Sequence, residues 1–214
     1  MVLEFSLYVI LISASGVLSP GPLLFVNLYY GSKYGPFNGL KVALGHTIVE
    51  LPLIIFLFYG LDKFSSFFLS EDVLKMIGVI GGIFMIFFSI LQINSIMTNK
   101  YSETNNSKRS KYDIKNPLLI GIIFTALNPF FLIWWSTLGL KLVSDSISFF
   151  GYYEGIVILF SSHIWMDYFW LGTTSFMAFK GRSIIKEKYY KSILLFFSGI
   201  IAFFGGYLLY TALI

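Results

Sequence analysis

The chain has no cysteine, two histidines and few charges: Asp, Glu, Lys and Arg together make 12% of its 214 residues. Without cysteine, disulfides and thiolate metal sites are excluded. A soluble domain carries about 25% charged residues, and one of this length could not hide a content that is 57% hydrophobic. Charge is missing altogether from residues 5–32, 76–99, 116–140 and 192–214. Each gap exceeds the roughly 20 residues that carry a helix across hydrocarbon. The short alternating segments of a membrane β-barrel are absent too. Backbone polar groups in lipid must be satisfied within the segment, so these stretches are expected to be helices.

Two further apolar stretches, 42–61 and 155–179, are interrupted by one acid and one histidine each. The expected fold is therefore an all-α membrane protein with six transmembrane helices. The first span has no basic region ahead of it and is too long for a signal-peptide core, so it is read as a true span. Twelve of the 15 basic residues fall in loops one, three and five, against Lys63, Lys75 and Lys141 on the other side. Because cytoplasmic loops are enriched in Lys and Arg, the loops at 31–41, 98–116 and 180–191 are expected in the cytoplasm, with both termini outside. A net charge of +4 then reflects a basic cytoplasmic face beside lipid, not a nucleic-acid partner. The glycosylation pattern Asn105-Asn106-Ser107 falls on that face and is read as chance.

The stretch 98–116, rich in Ser, Asn, Lys and Tyr, reads as a cytoplasmic linker between a first three-helix repeat (1–97) and a second (117–214). Three spans per half place two similar halves in opposite orientations, as in many transporters. The histidines support such a repeat. His46 precedes Glu50 by four residues, and His163 precedes Asp167 by four. This spacing sets each pair on one helix face. The offset of 117 between the pairs also carries Gly82 onto Gly199. Ionisable groups in mid-membrane are costly and usually functional; the alternative is that each pair bonds locally as packing glue.

The first span of each half is also interrupted, at Ser19-Pro20-Gly21-Pro22 and at Asn128-Pro129. Proline removes a donor and clashes with the preceding turn. Broken helices at membrane depth are tolerated where they line a cavity; a simple packing kink is the alternative at either break. Ser19 and Asn128 stand ready to bond beside the breaks. Gly31, Gly35, Gly39 and Gly45, and the groups Gly78-Gly81-Gly82 and Gly199-Gly205-Gly206, are expected to allow close helix contact. Trp134, Trp135, Trp165 and Trp170 are ambiguous, since tryptophans at span ends anchor to the interface; Trp165, between His163 and Asp167, lies too deep for that and is either packed or lines the cavity.

The run Ser19-Pro20-Gly21-Pro22, followed by Gly35, Gly39, Gly45 and Gly60-Leu61, resembles the opening half of the LysE/RhtB family of amino-acid exporters. Asn128-Pro129 is similar to that family's Asn-Pro element in the fourth hydrophobic segment. The likeness covers essentially the whole chain. It implies proton-driven export of amino acids or similar small solutes across a bacterial or archaeal cytoplasmic membrane. Many members carry an aspartate just after the glycine that matches Gly45; here His46 stands there, with Glu50 one turn on.

The mechanism expected is a secondary exporter with a midplane site. Glu50 and Asp167 would take a substrate ammonium or a coupling proton, His46 and His163 would share that proton, and the breaks at Pro20–Pro22 and Pro129 would offer backbone groups. Rocking of the halves would alternate access. A divalent metal exporter is the alternative, since two histidines and two carboxylates suit a transition metal; no resident metal or cofactor is expected. An intramembrane enzyme is disfavoured, because neither a nucleophile motif nor His-Glu-x-x-His accompanies these groups. The partners expected are a small solute, protons and the lipid bilayer, and a homo-oligomer is compatible with the sequence.

Overall fold

The computed structural model describes residues 1–68, 71–97, 116–184 and 187–213. The expected linker 98–116, apart from Asn116, lies outside the described residues. Among the described residues the chain forms α1 Val2–Val17, α2 Pro22–Tyr34, α3 Asn38–Phe68, α4 Glu71–Met97, α5 Pro117–Ala126, α6 Pro129–Trp134, a π-helical turn Trp135–Gly139, α7 Leu140–Ile184 and α8 Glu187–Leu213. Stretches within α3, α4 and α8, and one running from α6 through α7, are each long and apolar enough to cross a membrane. Helices α1 and α2 pass that test together as one span bent by 76°.

The fourth expected span does not form one helix. Asn116 and Asn128 each precede a proline, and each side chain accepts a hydrogen bond from the amide two residues on, Leu118 and Phe130, at 3.1 Å. Asparagine at the N-cap with proline at the first helical position is a helix-start signal. Asn128-Pro129 therefore opens α6 rather than merely breaking a helix. Helix α5, with 10 residues, is about 15 Å long at 1.5 Å per residue, half of a hydrocarbon core.

The glycines divide by role. Helices α3 and α5 cross at Gly45 and Gly121: a Cβ on Gly45 would meet the Leu118 carbonyl oxygen, and one on Gly121 the Val42 carbonyl oxygen. Gly31 and Gly39 press on Leu171 and Ser175 of α7, and Gly82 of α4 packs on Gly205 of α8. Gly199 and Gly206 face open space, so the expected close contact fails there. The match of Gly82 to Gly199 is not a shared packing role. Gly35 and Gly151 adopt φ of 117° and 75°, the region where a side chain is strained; the first ends α2 and the second kinks α7.

Apolar packing gathers in two clusters. One, including Tyr29, Tyr30, Phe88 and Phe124, joins α2, α4, α5 and α8. The other, including Phe58, Trp135, Val143 and Leu159, joins α1, α3 and α7 with the π turn. Large apolar side chains such as Leu11, Ile83, Phe87, Phe203 and Tyr210 stand exposed on α1, α4 and α8. So wide an apolar surface is unsuited to water and suited to lipid.

Candidate functional site

The face of α3 that carries His46 and Glu50 packs against the face of α7 that carries His163 and Asp167. All four side chains are buried, Glu50 to 1% exposure. The two His–acid pairs read from the sequence are not separate. Glu50 Oε1 lies 3.2 Å from His46 Nε2 and 3.1 Å from His163 Nε2, and it also accepts the Trp135 Nε1–H at 3.1 Å. Asp167 completes the group, with Oδ1 3.7 Å from His46 Nε2 and Oδ2 3.4 Å from His163 Nε2. One carboxylate oxygen thus faces three N–H-bearing rings, and a charged acceptor roughly doubles the strength of such bonds.

The other imidazole nitrogens face hydroxyls. His46 Nδ1 lies 2.9 Å from Thr125 Oγ1 of α5, and His163 Nδ1 lies 2.7 Å from Ser13 Oγ of α1. A hydroxyl donates or accepts by rotating. Each histidine can therefore hold or release its Nδ1 proton without losing a partner and without moving its ring. Rings seal the cluster: Phe131 sets an edge contact on His46 at 5.3 Å, Trp135 does the same to His163 at 5.3 Å, and Trp134 lies 5.8 Å from His163. Trp135 is aimed by the π turn, and a Cβ on Gly139 would run into its indole. Single π-helical turns recur at functional sites.

The cluster forms one wall of a cavity of about 370 Å³. Ser19, Pro20, Gly21, Pro22 and Asn128 line it, together with His46, Glu50, His163 and Asp167. Proline 129 begins α6 beside it. The volume is within the roughly 300–1,000 Å³ of small-molecule sites. Apart from the cluster, the wall is largely aromatic and aliphatic, and no Lys or Arg lines it among the described residues.

Of the two readings of Trp165, packing holds, and one expectation, the open second break, needs correction. Trp165 is 48% exposed and packs beside Phe169, away from the cavity; on a helix, the residue midway between two inward groups four apart points elsewhere. Trp134, Trp135 and Trp170 line the cavity. The second break offers a solute less than expected, because Asn128 Oδ1 is engaged with Phe130 N and the Asn128 carbonyl accepts from Phe131 and Leu132. Ser13, Thr125 and Trp135 were not read from the sequence as partners of the cluster, for they carry no pattern until the helices meet.

Comparison with known proteins bears on what such a cavity serves. A family model of the LysE type translocators matches residues 14–212. The chain belongs to that family. No individual curated protein and no solved structure matches it. As a LysE type translocator with several long apolar helices, it is a multi-pass membrane protein that moves small solutes. The family match runs from α1 to α8, so the cluster and both breaks fall inside it.

Proposed function

We propose that this translocator is a secondary exporter of amino acids or related amine-bearing solutes from the cytoplasm, driven by protons, with Glu50 and Asp167 as the exchange site. The observation that carries this reading is the single buried cluster in which both histidines share Glu50 Oε1. A net charge left in hydrocarbon costs several kcal/mol. Two carboxylates balance two imidazolium ions. An incoming ammonium competes with the imidazole N–H groups for the same oxygens, and where no carboxylate of the solute enters with it, a displaced histidine restores neutrality by giving up its proton. The cluster thus trades a cationic group for a proton. The work is transport rather than catalysis.

Reciprocal contacts support an inverted repeat. His46 of the first half bonds a hydroxyl of α5 in the second, and His163 of the second half bonds a hydroxyl of α1 in the first. The crossing of α3 and α5 at Gly45 and Gly121 has a counterpart where Ser162 of α7 meets Ser6 of α1 at 2.9 Å. Helix α4 packs on α8, its own equivalent. A two-fold axis between halves demands this kind of exchange. On this reading α5, α6 and the π turn make a sixth, broken crossing, and the basic loops face the cytoplasm with the termini outside.

In proteoliposomes, the chain is expected to carry amino acid against a gradient when a pH gradient is imposed. Glu50→Gln and Asp167→Asn are expected to retain the fold and lose the pH dependence. Unchanged proton-driven transport in both variants would end this mechanism.

A second reading has one observation in its favour. Donor atoms of His46, Glu50 and Asp167 all lie within 4.8 Å of one another, and His163 Nε2 contacts both carboxylates of that set at 3.1 and 3.4 Å. A divalent transition metal as cargo would suit that set of two nitrogens and two carboxylates. Counterflow of zinc or manganese in place of amino acids would select it.

A further inference from the structure

We infer that the cavity selects α-amino acids whose side chain is uncharged and largely apolar, and excludes those with a basic or acidic side chain. The inference rests on the exporter reading above and names the substrate class of that same site.

Charge in the cavity wall is confined to one place. Among the described lining residues the ionisable ones are His46, Glu50, His163 and Asp167, and all four belong to the one cluster. The cluster contains both signs. Its carboxylates accept from an ammonium, and its imidazoles, held by Ser13 and Thr125 in either protonation state, donate to a carboxylate. An α-amino acid head carries those two groups on adjacent atoms, so one pole of the cavity serves both. Glu50 Oε2 and Trp170 Nε1 are buried without a hydrogen-bond partner, one acceptor and one donor in residues of this wall, and Asp167 Oδ2 has no hydrogen bond beyond its 3.4 Å ion-pair contact with His163. Buried polar atoms are rarely left so, and rotation of these side chains towards a zwitterionic head would satisfy them.

The remainder of the cavity has nothing to offer a second charge. Leu23, Leu24, Phe130, Phe131 and Phe204 form its apolar wall, while Ser15, Ser19 and Asn128 supply neutral polar groups. Ser15 is already engaged with Ile12 O and Trp134 Nε1, and Asn128 Oδ1 caps α6. The side-chain ammonium of lysine or carboxylate of glutamate would enter an aromatic wall with no counter-ion. An uncompensated charge in such surroundings is strongly disfavoured. A branched aliphatic or aromatic side chain would instead bury its apolar surface there, which is favourable.

The test uses the whole chain, reconstituted in liposomes and preloaded with one amino acid at a time. Counterflow is measured for leucine, phenylalanine, lysine and glutamate, with zinc and manganese as further arms. The expected result is exchange of leucine or phenylalanine at least ten-fold faster than lysine or glutamate. Exchange of lysine or glutamate at the leucine rate would overturn the inference while leaving amino-acid export intact. Exchange of metals alone would overturn both. In a second arm, Phe204→Glu places an acid in the apolar wall and is expected to raise lysine exchange relative to leucine; its folding is checked by elution as a single species and by unchanged helical content. A folded variant with an unchanged lysine-to-leucine ratio would count against a tail site at Phe204.

Discussion

At the scale of the residue, the structure turns on one oxygen atom. Glu50 Oε1 receives His46, His163 and Trp135 within 3.2 Å. The two histidines were legible because a histidine with an acid four residues on, twice in an apolar chain, is hard to read otherwise. That they share one acceptor was not, because the i, i+4 rule speaks only of neighbours on one helix. Ser13 and Thr125 were invisible for a related reason. Hydroxyls in apolar helices commonly bond their own preceding turn, as Thr47 does to Ala43 O and Ser161 to Val157 O. Nothing in the sequence separates those from the two that turn outward to a histidine. Trp135→Phe tests the hub directly, since it keeps the ring and deletes the N–H. A hydrogen bond to a charged group contributes about 1.5–3 kcal/mol, so the thermal midpoint is expected to fall by several degrees and transport by about ten-fold or more. A rate equal to the parent's would show that the indole only packs.

At the scale of the element, small residues and helix caps set the geometry. The spacing of Gly31, Gly39 and Gly45 anticipated close crossings, and the Gly45–Gly121 contact is backbone on backbone. Gly199 obeyed the same pattern yet touches nothing. Composition marks where helices can approach, while the rotation of each helix decides which glycines use the chance. Gly121→Ala is expected to cost about 1–3 kcal/mol, as overpacking does, and to lower the thermal midpoint in detergent by several degrees. Gly199→Ala is expected to leave it unchanged. Equal midpoints for the two variants would contradict the crossing. The Asn-Pro pairs carry a similar lesson. Proline was read as a break, but with asparagine ahead of it the same residue is the start of a helix, and Asn116 and Asn128 cap α5 and α6 alike.

At the scale of the whole molecule, the two halves meet through exchanged contacts, and the cavity lies where the broken helices flank the α3–α7 seam. The membrane character and the location of the site were legible because charge is so scarce that each buried ionisable group is conspicuous. How the first and fourth spans bend was not legible, because proline marks a discontinuity but not its angle; α1 and α2 turn through 76°. One exposed residue gives the molecule a useful property. Trp165 lies on the turn between His163 and Asp167 but projects outward, and it is the one exposed tryptophan of the four. Its indole is a built-in depth gauge for the cluster behind it. In bilayers whose acyl chains carry bromine at chosen carbons, its fluorescence is expected to be quenched most by bromine near the chain ends, at the bilayer centre. Strongest quenching by bromine next to the headgroups would move the cluster out of the midplane and shorten the path from one side of the membrane to the site.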